Sequence, residues 1–202
     1  MQLLTEKINH LLEKNDRVVV AIDGNSSAGK STLAAFLKES HLCSVISMDH
    51  FFLRPEQRTP ERLSLPGGNI DHERFLDHVI TPLRTGGSFT YFPYDCRLCK
   101  LGDPITVPAN PLIVVEGAYS MHPNLLNDGG IYDISVFLQV DEAEQKRRLL
   151  LRNPDLYERF INEWVPMENK YFEHFKIADK CDFIFNNVCP HDTMCKGVNY
   201  DF

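Results

Sequence analysis

The amino-acid sequence predicts an α/β protein built on a parallel sheet, and three observations carry that prediction. The run at residues 17–22 is continuous and β-branched after Arg17, 112–115 is wholly apolar, and 133–140 is predominantly apolar, which is how strands covered on both faces read. Between them the apolar spacing turns helical, as at Leu33, Phe36 and Leu37 and again at Phe75, Val79, Ile80 and Leu83. Strands that alternate with helices pair in parallel through right-handed crossovers. At 202 residues, 43% hydrophobic and 24% charged, the chain suits one globular domain, 1–202, with no disordered composition.

The elements follow in order. Residues 1–15 place leucines and an isoleucine at helical spacing among Glu6, Lys7, Glu13 and Lys14, an amphipathic helix that is neither a signal peptide nor a membrane span, so the cytoplasm is the expected location. The first strand covers 17–22, and a helix follows the loop after it. A second strand, 43–49, ends in Asp49. Pro55, Pro60, Pro66, Gly67 and Gly68 make the next stretch a loop. Asp71 is the expected N-cap of a helix that ends before Gly86. Short extended segments at 88–96 and 104–108 precede a strand ending in Glu116, and another ends in Asp141. Residues 142–153 read as a basic helix, and 155–180 as a helix interrupted at Pro166. The last strand covers 181–187, and the tail from Val188 has no periodic signal. Functional residues should gather at the carboxyl ends of the strands, where Gly24, Asp49, Glu116 and Asp141 lie.

The loop after the first strand is Gly24-Asn25-Ser26-Ser27-Ala28-Gly29-Lys30-Ser31, and it matches the Walker A pattern G-x-x-x-x-G-K-S/T at every fixed position. Its glycines allow positive φ and close backbone approach, so consecutive amides can form an anion-binding nest in which larger side chains would obstruct. The following helix adds its unsatisfied first amides, Thr32 among them, and the positive end of its dipole. This arrangement predicts an ATP site, with Lys30 reaching the β- and γ-phosphates and Ser31 ligating Mg2+.

Phosphoryl transfer also needs metal-side carboxylates, a base for the attacking oxygen and cations for the developing charge. Asp49 is placed for the acceptor hydroxyl and Glu116 for Mg2+, while a cap at a strand end is the plainer role of each. Lys146, Arg147, Arg148, Arg152 and Arg159 form a basic cluster in which Arg148 and Arg152 share a helix face, suited to stabilising transferring charge or, more simply, to pairing with Glu142 and Glu144. A net charge of −7 disfavours general binding to nucleic acid or anionic membranes. Of the six cysteines, Cys96 and Cys99 have redox or zinc spacing, with Cys189, His191 and Cys195 as conceivable further ligands; reduced free thiols are the simpler reading.

These residues together resemble the uridine kinase and phosphoribulokinase family of P-loop kinases, over residues 18–185. Besides Walker A, the resemblance rests on SMDHFF at 47–52, GGNIDHERF at 67–75, PYDC at 93–96, VVEGAYSMHP at 114–123, KRRLLLR at 146–152 and ADKCDFIF at 178–185. It implies a three-layer P-loop NTPase fold, with a five-stranded parallel sheet of the nucleoside-monophosphate-kinase type and a short lid at about 152–166. It further implies that Asp49 is the catalytic base, that Asp71 holds ribose hydroxyls, that Tyr94 lines the nucleoside pocket, that Glu116 is the metal-side carboxylate, and that Arg147, Arg148 and Arg152 lie at the base of the lid. Two departures stand out: Arg97, Leu98 and Cys99 occupy the region where the family's uridine kinases carry a base-contacting histidine, and NPDLYERFINEW at 153–164 lacks their arginine-rich run. His72, beside Asp71, is either a substrate contact or an exposed cap-region side chain.

The expected activity is therefore ATP-dependent phosphorylation of a small molecule at a primary hydroxyl, most simply the 5′-hydroxyl of uridine or cytidine, with pantothenate, a sugar phosphate or another metabolite alcohol as alternatives. Homo-oligomerisation is left open. A GTPase switch would need an N-K-x-D guanine reader, and the string ENKYF at 168–172 lacks the aspartate. A binding protein without catalysis is disfavoured by the presence of Lys30, Asp49 and Glu116.

Overall fold

A computed structural model describes residues 1–126 and 130–187. In chain order its strands are β1 (Val18–Gly24), β2 (Cys43–Ser47), β3 (Phe89–Tyr91), β4 (Tyr94–Asp95), β5 (Lys100–Leu101), β6 (Ile105–Val107), β7 (Leu112–Glu116), β8 (Ile134–Gln139) and β9 (Phe183–Asn186). The helices used below are α1 (Gln2–Leu12), α2 (Lys30–Ser40), α3 (Pro60–Ser64), α4 (72–85), α5 (Pro123–Leu126), α6 (Glu142–Arg152) and α7 (157–175).

The central sheet is five-stranded and parallel, in the order β2-β7-β1-β8-β9. Its middle strand β1 is buried along its whole length, as an unbroken Val-Val-Val-Ala-Ile run requires. Alternate side chains divide between two cores. Val18, Val20 and Ile22 pack with Leu4 and Ile8 of α1 and Leu33 and Leu37 of α2. Val19 and Ala21 pack with Phe75, Val79 and Leu83 of α4 and Tyr171 of α7. The result is the three-layer α/β architecture that the sequence predicts, and it brings the carboxyl ends of β1, β2, β7 and β8 to one edge. The segment between β2 and β7 adds two antiparallel pairs, β3 with β6 and β4 with β5.

Several boundaries differ from the sequence reading, for local physical reasons. The second strand stops at Ser47, and Met48–Phe51 is a 3-10 turn, so Asp49 stands on a turn beyond the strand end. Likewise β8 stops at Gln139, and Asp141 is the N-cap of α6, its Oδ1 accepting from the Glu144 amide at 2.9 Å; that carboxylate is committed to the helix. Pro166 does not interrupt α7. The turn before it, Phe160–Trp164, is π-helical, and this wider spacing accommodates a residue that has no N–H and whose ring presses on the preceding turn. Asp71 caps α4 as expected, accepting from the Arg74 amide at 3.1 Å, and Gly86 follows the helix with φ 80°.

Gly24 ends β1 at φ 136°, opposite Leu138 in the ladder. A β-carbon there would come to 2.1 Å from the Leu138 carbonyl oxygen, a backbone atom that cannot step aside. Gly24→Ala is therefore expected to destabilise the fold by about 3 kcal/mol or more, read as a lowered denaturation midpoint in urea. An unchanged midpoint would contradict the close pairing of β1 with β8 at this residue.

Candidate active site

The loop between β1 and α2 is clamped from several elements. Lys30 Nζ donates to the carbonyls of Gly24 (2.8 Å) and Asn25 (2.9 Å). Gln145 of α6 donates to the Ser26 carbonyl (3.1 Å), Arg148 of α6 to the Ser27 carbonyl (3.2 Å), and Asn187, after β9, to the Ala28 carbonyl (2.9 Å). Every carbonyl from Gly24 to Ala28 thus has a donor. The amides differ. Those of Asn25, Ser26 and Ala28 donate to Leu138, Glu168 and Asn25 respectively. Those of Ser27, Gly29, Lys30, Ser31 and Thr32 have no partner among the described residues. Ser27 (φ 61°) and Gly29 (φ 101°) supply the left-handed residues that turn successive amides toward one side, and α2 begins at Lys30. Five unpaired amides at a helix start, with a lysine folded across them, are what a polyphosphate needs.

Beside the loop, Glu116 ends β7 between β1 and β2, in register with Ile22 and Ser47. Its Oε2 accepts from the Ser31 hydroxyl at 3.2 Å, a hydroxyl and carboxylate pair of the kind that ligates Mg2+. Burial raises the Glu116 carboxyl above the ordinary range, the charge of Asp49 adds to this, and Lys30 opposes it. Asp49 itself is exposed on the 48–51 turn. The structure thus brings Lys30, Ser31, Glu116 and Asp49 to one edge of the sheet.

Asp23 was not anticipated as a site residue. It is fully buried and accepts four hydrogen bonds, from the amides of Gly24 (2.7 Å), Tyr119 (3.1 Å) and Met121 (3.0 Å) and from the Tyr171 hydroxyl (2.8 Å). Burial pushes its carboxyl up while these donors pull it down. It ties the start of the loop to the segment after β7 and to α7. An acid closing an otherwise apolar strand was the visible signal. Glu168 of α7, which holds Ser26, had no such signal.

At the start of α4, Asp71 is buried and both its oxygens are engaged: Oδ1 by the Arg74 amide, and Oδ2 by Arg74 Nε at 3.3 Å and Arg54 Nε at 3.7 Å. Arg74 also donates to the carbonyls of His50 and Phe92 and lies over the Phe51 ring at 4.4 Å. Tyr94 is buried in β4, whose hairpin turn carries Cys96 and Cys99, both exposed and free. No third His, Cys, Asp or Glu joins them among the described residues, and Cys189, His191 and Cys195 lie outside those residues. His72 is not the exposed cap-region side chain that one reading expected. It is buried, its ring 4.0 Å from that of His122, with Nδ1 facing Arg62 and Asn124. Burial pulls it down to about 3, so it is neutral.

The arginines divide. Arg148 reaches the loop, with Nε on Glu144 at 2.6 Å and Nη2 toward Asn187. Arg147 grips the same carboxylate through Nε and Nη2. Arg147 first, then Arg148, hold Glu144 down to about 2. Arg152, at the end of α6, is exposed.

No protein-family model matches the chain. The Schizosaccharomyces pombe protein named "putative uridine kinase" is 27% identical over 165 residues, which span 71% of this chain and 69% of that protein. A "possible uridine kinase" from Bacillus stearothermophilus superposes with a TM-score of 0.62 over 92% of this chain and 100% of its own, at 22% identity. A "putative fructose transport system kinase" from Silicibacter sp. TM1040 does so with a TM-score of 0.59 over 90% and 98%, at 20% identity. The two structural likenesses show a shared fold.

Because the folded-state carboxyl of Glu116 lies above its unfolded value, its contribution is favourable at low pH and lost as pH rises through the folded value. Glu116→Gln should then melt roughly 2–4 °C higher than the parent at about pH 8, with the gap closing toward about pH 4. A variant less stable than the parent at the higher pH would contradict this electrostatic account.

Proposed function

We propose, for a chain that is similar to a putative uridine kinase and shares the fold of P-loop kinases, that it transfers the γ-phosphoryl group of ATP to a primary hydroxyl of a small molecule, with the 5′-hydroxyl of uridine or cytidine as acceptor. The reading is carried by one observation: five amides without a partner among the described residues, a lysine, a hydroxyl and carboxylate pair and an exposed aspartate lie together at the carboxyl edge of the sheet. ATP supplies the phosphoryl group, and Mg2+, which Ser31 and Glu116 would hold, would neutralise charge on the phosphate oxygens.

The chain's own residues divide the work. Residues 24–32 hold the polyphosphate, and Lys30 exchanges its two carbonyl contacts for phosphate oxygens. Ser31 and Glu116 hold the metal. Asp49 accepts the proton of the attacking hydroxyl. Arg148, already fixed against the Ser27 carbonyl, and Arg152 stabilise the transferring charge. Arg147, Asp71 and Tyr94 face the acceptor, and residues 152–166 act as a short lid within the single domain 1–202. Among the described residues no helix is long and apolar enough to cross a membrane, and we place the reaction in the cytoplasm.

A second reading, a non-nucleoside alcohol such as a pantothenate- or sugar-phosphate-type acceptor, is favoured by the engagement of both Asp71 oxygens with Arg74 and Arg54 and by Arg97-Leu98-Cys99 in the β4–β5 turn. ADP release measured across a panel of nucleosides and metabolite alcohols decides between them. A kinase turns over only with its acceptor; slow release regardless of acceptor indicates a hydrolytic switch, and none at all a binding protein.

Asp49→Asn is expected to keep affinity for a non-hydrolysable ATP analogue and to lose about 10²–10⁴-fold in turnover; undiminished turnover removes Asp49 from the mechanism. Lys30→Ala should weaken analogue binding about tenfold or more, as loss of a charge-assisted contact does, and an equal affinity contradicts the assignment of the nest.

A further inference from the structure

We infer that Glu168 is a positioning residue for the phosphate nest, an inference that rests on the nucleotide site proposed above. Glu168 is only 6% exposed, yet among the described residues no lysine or arginine forms an ion pair with it. Among the described residues its hydrogen bonds come from one, Ser26, whose amide donates to Oε2 at 3.0 Å and whose hydroxyl donates to Oε1 at 2.5 Å. A buried carboxylate with no cation in contact, Lys30 acting on it only from a distance, is costly for a fold to keep. Here it is spent on one peptide group of the loop.

That peptide group decides the geometry of the next. The amide of Ser26 is turned to α7, whereas the amide of Ser27, at φ 61°, is left without a partner. On the other side of the residue, Gln145 holds the Ser26 carbonyl at 3.1 Å. Ser26 is therefore clamped between α6 and α7, and the clamp keeps its amide apart from the five that are free. One helical turn beyond Glu168, Tyr171 donates to Asp23, which in turn accepts from the Gly24 amide. Through Glu168 and Tyr171 a single face of α7 fixes the loop at its entry and at its third residue. If Glu168 is removed, the Asn25–Ser26 peptide keeps the contacts of its carbonyl with Lys30 and the Ala28 amide but loses the partner that holds its N–H toward α7, and the arrangement of the nest is less firmly set before nucleotide arrives.

Two conservative variants separate this role from a charge effect. Glu168→Gln loses the charge but still accepts from the Ser26 amide and donates to its hydroxyl. Glu168→Asp keeps the charge but falls one methylene short. Titration of a non-hydrolysable ATP analogue with Mg2+ should give Glu168→Gln within about threefold of the parent and Glu168→Asp about tenfold weaker. In a Ser26→Ala background the Glu168→Asp loss should shrink to about threefold, because one of the two bonds is already absent. The reverse order of the two variants, parent-like affinity in Glu168→Asp, or an undiminished loss in the Ser26→Ala background would each overturn the inference. A parent chain that does not bind the analogue would instead overturn the nucleotide site itself.

Discussion

The direction in which the peptide groups between Gly24 and Lys30 face is the constraint on which the rest of the site depends. A nest that binds an anion cannot also present carbonyl oxygens to it. In this chain the five carbonyls from Gly24 to Ala28 are each given a donor, from Lys30, Gln145, Arg148 and Asn187. Those donors come from three different elements packed around the end of the sheet. The amides of Ser27 and Gly29 to Thr32 are left over. The preorganisation is therefore built by folding, with α6, α7 and β9 as the supports.

The same edge of the sheet concentrates buried acids. Burial raises the carboxyls of Asp23, Glu116 and Glu168, and Lys30 is a cation that pulls all three down. Asp23 offsets its burial with four donors, and Glu168 with two from one serine. Glu116 is given only hydroxyl donors, from Ser31 and Ser47, and Asp49 adds a like charge. Such a carboxylate gains most from a divalent cation, which is consistent with the role proposed for it.

Much of this was readable from the sequence, where the signal is local. The glycines, lysine and serine of residues 24–31 have fixed roles in a strand, loop and helix of known order, so spacing alone located the nest. Unalternating apolar runs located β1, β7 and β8, and the five-stranded parallel sheet follows the expected fold. Local signals failed where a neighbour distant in sequence decided the outcome. Met48 and Asp49 read as the end of the second strand yet lie on a turn, because Met48 and Phe51 bury in the core below the loop. Pro166 looked like a break, but a π turn before it let α7 continue. The clamps on Ser26 and Ala28 come from residues more than a hundred positions away, and no periodicity announces them. Asp71 shows the limit from the other side: its capping role was legible, whereas its engagement by Arg54 and Arg74 was not.

Backbone amide chemical shifts, followed by NMR as Mg2+ and a non-hydrolysable ATP analogue are added, test the central claim most directly. The account predicts that the largest changes fall on Ser27, Gly29, Lys30, Ser31 and Thr32, the five loop amides without a partner among the described residues, with Ala28 and Asn25 moving little. Shifts concentrated elsewhere, with those five unmoved at saturation, would contradict it.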